Sequence, residues 1–124
     1  MRNVGDGKLG AAVAATWRNT GLDRDGDLHR RLGADEVITV IDVRQPEEFS
    51  APPGHLPGAV NIPLAEIPMR ATELAETEQP IVLVCKTDRR SANAASALLA
   101  AGAQNVAVLR GGTDGWHAQG LPLE

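Results

Sequence analysis

Four short apolar runs recur along the chain after residue 36, and more mixed segments separate them. They occupy residues 37–41, 58–62, 81–84 and 105–109. The first and third runs are almost wholly Val, Ile and Leu, without the alternation of polar and apolar residues that marks a strand with one solvated face. Such runs are typical of strands that are buried on both faces in a parallel sheet.

Helical segments lie between and after these runs. Residues 64–76 have a helical composition, and the candidates for their buried face are Leu64, Ile67 and Leu74. Residues 91–101 are rich in Ala and Leu, and Gly102 follows them as a helix stop. A short helix is expected over residues 113–119. Strands that alternate with helices predict an α/β fold, in which a mainly parallel β-sheet is flanked by helices.

The domain organisation follows from the same pattern. The length of 124 residues suits one domain. Residues 36–124 carry all four apolar runs and form the predicted domain. Residues 1–35 differ, because they contain only one possible helix, at 9–18, and then a polar stretch at 19–27. The packing of this N-terminal segment stays open.

An acidic run within the N-terminal segment resembles the start of a calcium-binding loop. Residues 23–27 supply three Asp side chains at alternate positions. The later positions do not fit, because Leu28 stands where the loop needs Gly and Ala34 stands where it needs Glu. A solvated loop is therefore expected, and no metal site is predicted.

Composition narrows the classes of function. Hydrophobic residues make up 43% of the chain but aromatic residues only 2%, so the core must be mainly aliphatic. The net charge of −4 argues against a general nucleic-acid-binding protein. No run approaches the ~20 apolar residues that span a bilayer, and no secretory signal is recognised, so no membrane partner is expected. The single cysteine excludes an intramolecular disulfide and fits a reducing compartment, which predicts a cytoplasmic location.

That cysteine, Cys85, directly follows the third apolar run and precedes a helix start. A lone cysteine after a buried strand is most often an inert, small apolar residue. Here the helix N-terminus and the cations Lys86, Arg89 and Arg90 favour the thiolate, which is the nucleophilic form. The same field attracts an anionic substrate. A reactive thiolate is therefore the favoured interpretation.

Four blocks of residues stand in a specific order around this cysteine. They are residues 41–44 with 48–49, residues 54–63, the loop opened by Cys85 and closed by Arg90 and Ser91, and residues 109–112 with Trp116 and 120–122. Each block alone is a weak signal, but the four together in this order and spacing are specific. They resemble the rhodanese-like domains, and the resemblance covers about residues 37–122.

The resemblance implies a rhodanese-like fold and a sulfurtransferase activity. The Cys85 thiolate would attack the outer sulfur of an anionic donor such as thiosulfate, sulfite would leave, and the persulfide would pass its sulfur to a thiol or cyanide. Backbone amides of residues 86–90 would cradle the persulfide and the departing anion. A protein thiol or persulfide is a further expected partner. Neither a metal nor an organic cofactor is implied.

The resemblance also assigns roles to matching residues. Cys85 and Arg90 are expected to be catalytic. The expected substrate-binding residues are Lys86, Thr87, Asp88, Arg89, Ser91 and Arg44. The expected structural residues are Asp42, His55, Gly111, Gly112 and Trp116. For Arg44 an ion pair is the alternative to anion binding, and the two glycines are expected in a tight turn beside the loop.

The loop departs from the family pattern at its fourth position, where Asp88 replaces the usual Gly. Gly takes a positive φ without strain, and Asp is among the few other residues that tolerate it. The loop is therefore expected to keep its shape. Two effects of the added carboxylate stay open: it could pair with Arg89 or Lys86 and weaken the positive field, or it could tune the pocket toward a different donor.

Two alternatives to a sulfurtransferase remain open on the sequence. A related phosphatase or arsenate reductase would need a longer loop, with five residues between cysteine and arginine, whereas four residues separate Cys85 from Arg90. A non-catalytic module for protein binding or redox sensing would also keep a reactive thiolate.

Overall fold

The computed structural model describes residues 27–34 and 37–124, and its centre is a sheet of four parallel strands. In chain order the strands are β1 (Thr39–Asp42), β2 (Val60–Asn61), β3 (Ile81–Val84) and β4 (Val106–Val108). They lie side by side in the order β2–β1–β3–β4. Each of the four predicted runs supplies one strand, and the run at 81–84 matches β3 residue for residue. The predicted parallel α/β fold is confirmed.

Five α-helices accompany the sheet in the described part of the chain. They are α1 (Asp27–Gly33), α2 (Pro46–Ser50), α3 (Ile67–Ala75), α4 (Arg89–Ala100) and α5 (Gly112–Ala118), and a turn of 3-10 helix (Leu64–Glu66) leads into α3. The three predicted helices correspond to α3, α4 and α5. None of the described helices is long and apolar enough to cross a membrane.

Helices α1 and α2 were not predicted from the sequence. α1 offers little periodicity, yet its Leu28 side chain is fully buried. Residues 27–34 thus pack on the same core as the domain that follows. α2 has only five residues, and it starts through a capping box in which the Gln45 amide donates to the Glu48 carboxylate at 3.0 Å. The possible helix at 9–18 and the acidic run up to residue 26 lie outside the described residues.

Strands β1, β3 and β4 are buried almost throughout, whereas Val60 of the edge strand β2 is exposed. The burial predicted from the first and third apolar runs is confirmed. Successive side chains of a strand point to opposite faces. Ile41 and Leu83 therefore join the core that contains α3 and α4, in which Ile67 is fully buried and Leu64 and Leu74 are half-buried. The alternate strand positions face a second core, which includes Val40, Val82, Leu28 of α1 and Trp116 of α5.

The parallel strands place three connections at one end of the sheet. The segment after β1 continues beside β3, where the Val43 amide donates to the Val84 carbonyl at 2.8 Å. The segment after β4 continues on the other side, where the Leu109 amide donates to the Leu83 carbonyl at 3.0 Å. Cys85 follows β3 between them. Ligands of parallel α/β sheets bind beyond these carboxyl ends, so the fold brings the predicted loop to the expected edge.

Candidate active site

Cys85 lies at the base of the loop that joins β3 to α4. Its side chain is only 1% exposed and packs in the core between the sheet and α4. The thiol donates a hydrogen bond to the Ser91 hydroxyl at 3.3 Å, and that hydroxyl donates to the Asp88 carbonyl at 3.0 Å. Ser91 is itself fully buried. The sulfur is therefore almost fully covered, and the Ser91 hydroxyl is its hydrogen-bond partner.

The loop presents a row of amides without acceptors. Within the described part of the chain, none of the six amides of residues 86–91 donates a hydrogen bond. The first amides of a helix lack partners within the helix, and here those of α4 continue the row that begins in the loop. Six consecutive open donors beside one sulfur form an arrangement that suits an anion.

Peptide geometry explains why the amides stay open. In a trans peptide the carbonyl of one residue and the N–H of the next point in opposite directions. The Cys85 carbonyl accepts from the Thr113 amide at 2.9 Å, and the Lys86 carbonyl accepts from the Asp114 amide at 3.1 Å. Because both carbonyls point toward α5, the amides of residues 86 and 87 point away from it.

The two predicted glycines lie in the turn between β4 and α5, which packs closely against the loop after Cys85. Gly111 has φ +85° and Gly112 has φ +60°, a region that favours glycine. A Cβ added at Gly112 would collide with the carbonyls of Cys85 and Lys86. The expected tight turn beside the loop is therefore present, and at residue 112 only glycine permits the close approach of the two backbones.

Arg90 forms an ion pair with Glu48 of α2. Its two terminal nitrogens donate to the two carboxylate oxygens at 2.6 and 3.1 Å, and both side chains are about one-third exposed. The Arg90 hydrogen bonds lower the pKa of Glu48 to about 2, and Glu48 in turn raises the pKa of Arg90. Glu48 lies in the first block of the family pattern, but its contact with the loop arginine was not predicted from the sequence.

The remaining loop cations are arranged differently from the expectation. Lys86 pairs with Asp114 at 2.7 Å, and both side chains are exposed. Arg89 is exposed and forms no hydrogen bond or ion pair within residues 27–34 and 37–124, and Thr87 is likewise exposed. Lys86 and Arg90 are thus each neutralised by a carboxylate, so the loop is less cationic than its sequence indicates.

Asp88 is the clearest correction to the sequence analysis. Its φ is −131°, so the positive φ that the usual Gly suggested does not occur here. Its carboxylate pairs with neither Lys86 nor Arg89 but accepts a hydrogen bond from the Gly111 amide at 2.9 Å. The reason is the position of the β4–α5 turn, which lies within reach of the loop and offers a backbone donor.

Arg44 is held in a second ion pair, at the end of β1. Its Nε and one terminal nitrogen donate to the Asp42 carboxylate at 2.7–3.0 Å, and that terminal nitrogen also donates to the Gly54 carbonyl at 3.1 Å. Both residues are buried. The Asn61 side chain binds the carbonyls of Asp42 and Arg44. The structure thus places Arg44 within the scaffold, and anion binding by this residue stays a prediction.

His55 and Trp116 also lie in structural surroundings. The His55 ring stacks on Phe49 at 3.7 Å, and its Nδ1 lies 3.1 Å from the Phe49 carbonyl oxygen. Trp116 is 1% exposed and donates from Nε1 to the Pro122 carbonyl at 2.6 Å. His55 thus joins α2 to the segment that follows it, and Trp116 packs in the core with Val40 and Val82. In the described part of the chain, no group of three or more His, Cys, Asp or Glu residues is arranged to hold a metal ion.

Comparison with known proteins identifies the family. The model of the rhodanese-like domain matches residues 25–119. A sulfurtransferase from Allochromatium vinosum is 33% identical over 96 residues, which cover 77% of this chain and 87% of the relative. The thiosulfate sulfurtransferase GlpE from Pseudoalteromonas translucida is 35% identical over 83 residues, which cover 67% of this chain and 76% of the relative. The crystal structure of a rhodanese-related protein from Thermoplasma volcanium matches with a TM-score of 0.66 at 30% identity, covering 78% of this chain and 90% of that one.

The chain therefore belongs to the rhodanese-like domain family. This confirms the resemblance drawn from the four blocks of sequence, and the family includes proteins that carry the name sulfurtransferase. The donor, the acceptor and the roles of individual loop residues are matters for the proposals below.

Proposed function

We propose that this protein is a sulfurtransferase in which Cys85 carries sulfur as a persulfide. The observation that supports it most is the row of six open amides that follows the cysteine. A persulfide and the anion that leaves it both need donors that require no rearrangement at the moment of reaction. The relative named a thiosulfate sulfurtransferase supports thiosulfate as the donor. A cytoplasmic location fits a thiol that must stay reduced between turnovers.

The first half-reaction transfers the outer sulfur of thiosulfate to Cys85. The Cys85 thiolate attacks this sulfur, the S–S bond of thiosulfate breaks, and sulfite leaves with the bonding electron pair. The open amides hold the leaving anion and the persulfide, the exposed Arg89 supplies positive charge, and Arg90 supplies it when the anion displaces Glu48. The Ser91 hydroxyl lies 3.3 Å from the sulfur, which is close enough for it to donate a hydrogen bond to the Cys85 thiolate.

The second half-reaction returns the enzyme to its starting state. A thiolate or cyanide attacks the outer sulfur of the persulfide, the S–S bond breaks, and the Cys85 thiolate leaves. Cyanide becomes thiocyanate, whereas a thiol becomes a persulfide. The loop lies at the exposed end of the sheet, so a cysteine on a partner protein is an acceptor class that the geometry admits.

A second candidate is a non-catalytic module for binding or redox sensing. Two observations favour it. Cys85 is only 1% exposed, and the Arg90 side chain forms an ion pair with Glu48 instead of being available to a substrate. Burial alone is typical of an inert cysteine. The open amides weigh against this alternative, because a row of donors in the loop after the cysteine suits an anionic reactant.

The deciding experiment measures sulfur uptake by intact mass. The reduced protein is incubated with thiosulfate and weighed, and the measurement is repeated after a thiol reductant. We expect one added sulfur, which the reductant removes and which Cys85→Ser does not acquire. The reductant is needed because a sulfinic acid adds nearly the same mass yet resists thiols. Absence of reversible uptake from thiosulfate, mercaptopyruvate and protein persulfides would favour the non-catalytic module.

A further inference from the structure

Asp88 is the N-cap residue of α4, yet it does not cap the helix. An Asp at an N-cap normally accepts a hydrogen bond from the second or third amide of its helix, here Arg90 or Ser91. In this protein the Asp88 side chain makes no capping hydrogen bond. Its Oδ1 accepts from the Gly111 amide instead. The carboxylate is therefore turned away from the amides that it would otherwise occupy.

This choice of partner matters because a capping carboxylate would compete with the substrate. A side-chain oxygen on the amides of α4 would take the donors that an anion needs, and its negative charge would repel that anion. While the Gly111 amide holds the carboxylate, the amides of residues 86–91 stay open. The amides are thus open while the Asp88 carboxylate binds the Gly111 amide, and they would be occupied if that carboxylate capped α4.

The Gly111 contact also continues the docking of the loop onto the β4–α5 turn. The carbonyls of Cys85 and Lys86 accept from α5, and the Asp88 carboxylate adds a third contact two residues further along. The Asp88 carbonyl in turn orients the Ser91 hydroxyl, which contacts the sulfur. Asp88 is thereby linked to the Cys85 sulfur through Ser91, although Asp88 and Cys85 are not in direct contact.

We propose that Asp88 is a positioning residue, which latches the loop to the Gly111 amide and so keeps the amides of α4 open for an anionic donor. The effect of this latch on turnover rests on the proposed function. The latch itself is a property of the folded chain, and it can be measured without any sulfur transfer.

The first measurement addresses the latch alone. Amide hydrogen exchange at Gly111 is followed by NMR in the wild-type protein, Asp88→Asn and Asp88→Ala. Asn keeps an acceptor oxygen without the charge, whereas Ala removes the acceptor. We expect protection of the Gly111 amide in the wild type and in Asp88→Asn, and exchange about threefold to tenfold faster in Asp88→Ala, as the loss of one surface hydrogen bond implies. Equal exchange rates in all three proteins would overturn the latch.

The second measurement addresses the open amides. Cys85 is alkylated with anionic iodoacetate and with neutral iodoacetamide, and the ratio of the two rates reports attraction of an anion, because both reagents need the same thiolate. Asp88→Ser and Asp88→Ala form the matched pair, since both lack the charge and the reach to Gly111 but only Ser can cap α4. We expect a ratio about threefold to tenfold lower in Asp88→Ser than in Asp88→Ala, because one capping hydrogen bond closes the amides. Equal ratios would overturn the claim that capping competes with the anion.

The third measurement joins the latch to turnover. Relative to Asp88→Ala, we expect Asp88→Ser to raise the KM for thiosulfate about threefold to tenfold, with a smaller change in kcat, because only Ser can cap the amides that bind the anion. Identical KM values in two folded variants would overturn the link to donor binding. If no variant takes up sulfur at all, the exchange and alkylation results still decide whether Asp88 is a latch, and only the proposed function fails.

Discussion

Two arginine–carboxylate pairs lie near the carboxyl end of the sheet, and they differ in burial. The pair Arg44–Asp42, after β1, has side chains that are 7% and 1% exposed. The pair Arg90–Glu48, at the start of α4, has side chains that are 32% and 34% exposed. The first is enclosed by backbone partners such as the Gly54 carbonyl, whereas water reaches the second. The difference indicates that the first pair is part of the buried scaffold, whereas the second is open to solvent.

Burial decides how each pair responds to the loss of one partner. Removal of one member of a buried pair leaves a charge without water or counter-charge, whereas an exposed partner is simply solvated. The same kind of ion pair thus has a structural role at Arg44–Asp42 and can be broken at little cost at Arg90–Glu48. Three predictions test this contrast, in order of the expected effect on stability.

The largest effect is expected from Arg44→Met, which leaves the buried Asp42 carboxylate without its guanidinium partner. We expect the free energy of unfolding to fall by about 3–5 kcal/mol, as for other broken buried ion pairs. Urea denaturation measures the change. The double variant Asp42→Asn, Arg44→Met is the control, because it removes the unpaired charge and should recover part of the loss. A loss below about 1 kcal/mol in Arg44→Met would mean that the pair is not structural.

A smaller effect on stability, but a clear effect on sulfur uptake, is expected from Arg90→Gln. The half-exposed Glu48 left behind is solvated, so the free energy of unfolding should change by no more than about 1 kcal/mol. The rate of sulfur uptake from thiosulfate should fall roughly tenfold to hundredfold, the range for loss of a hydrogen bond from a charged group. Arg90→Lys keeps the charge but not the paired donors, and we expect an intermediate rate. Uptake at the wild-type rate in Arg90→Gln would show that the proposed anion site does not use this arginine.

The smallest effect is expected from Glu48→Gln, and it depends on pH. Because Arg90 lowers the pKa of Glu48 from 4.5 to about 2, the folded state is stabilised above the unfolded pKa, and this contribution is lost as the pH falls through the folded value. The difference in stability between the wild type and the variant should therefore be constant above about pH 5 and decline below it, within about 1 kcal/mol because the pair is half-exposed. Urea denaturation at several pH values measures it. A difference that grows on acidification would contradict the assignment.

Glu48→Gln also tests whether the ion pair between Glu48 and Arg90 limits substrate binding. Without its carboxylate partner, Arg90 is available to the substrate, so the KM for thiosulfate should fall severalfold at neutral pH. Glu47→Gln is the matched control, because Glu47 is the exposed neighbour on the same helix. A fall of the same size in both variants would indicate a general effect of net charge rather than release of Arg90.

The sequence predicted most of the scaffold and the centre of the site. The runs that became β1 to β4 are short and nearly all apolar, which suffices to predict buried parallel strands. The basic residues after Cys85 and the helix that follows identify the loop. It did not reveal α1, because a helix of seven residues offers only one apolar pair at helical spacing, Leu28 and Leu32, and that is too short to show a period. It did not reveal α2, because five residues are too few to show a period.

Charge partners were the other element that the sequence missed. The cations of the loop predicted a positive field, but Lys86 and Arg90 each meet a carboxylate that is distant in the chain. Glu48 lies 42 residues before Arg90, and Asp114 lies 28 residues after Lys86. Asp88 was expected beside a neighbouring cation and instead binds the backbone of residue 111. Each of these contacts follows from the meeting of separate segments at one end of the sheet.

The sequence by itself determined the parallel sheet, the helices α3, α4 and α5, the cysteine at the strand end and the family. These depend on local periodicity, on residue type and on the order of short motifs, and all three can be read directly from the sequence. Only the tertiary structure decided which carboxylates neutralise the loop cations, where Asp88 turns, and that six amides stay open beside Cys85. The physical reason is that ion pairs and hydrogen bonds depend on distance in space, and the fold sets that distance between residues far apart in the chain.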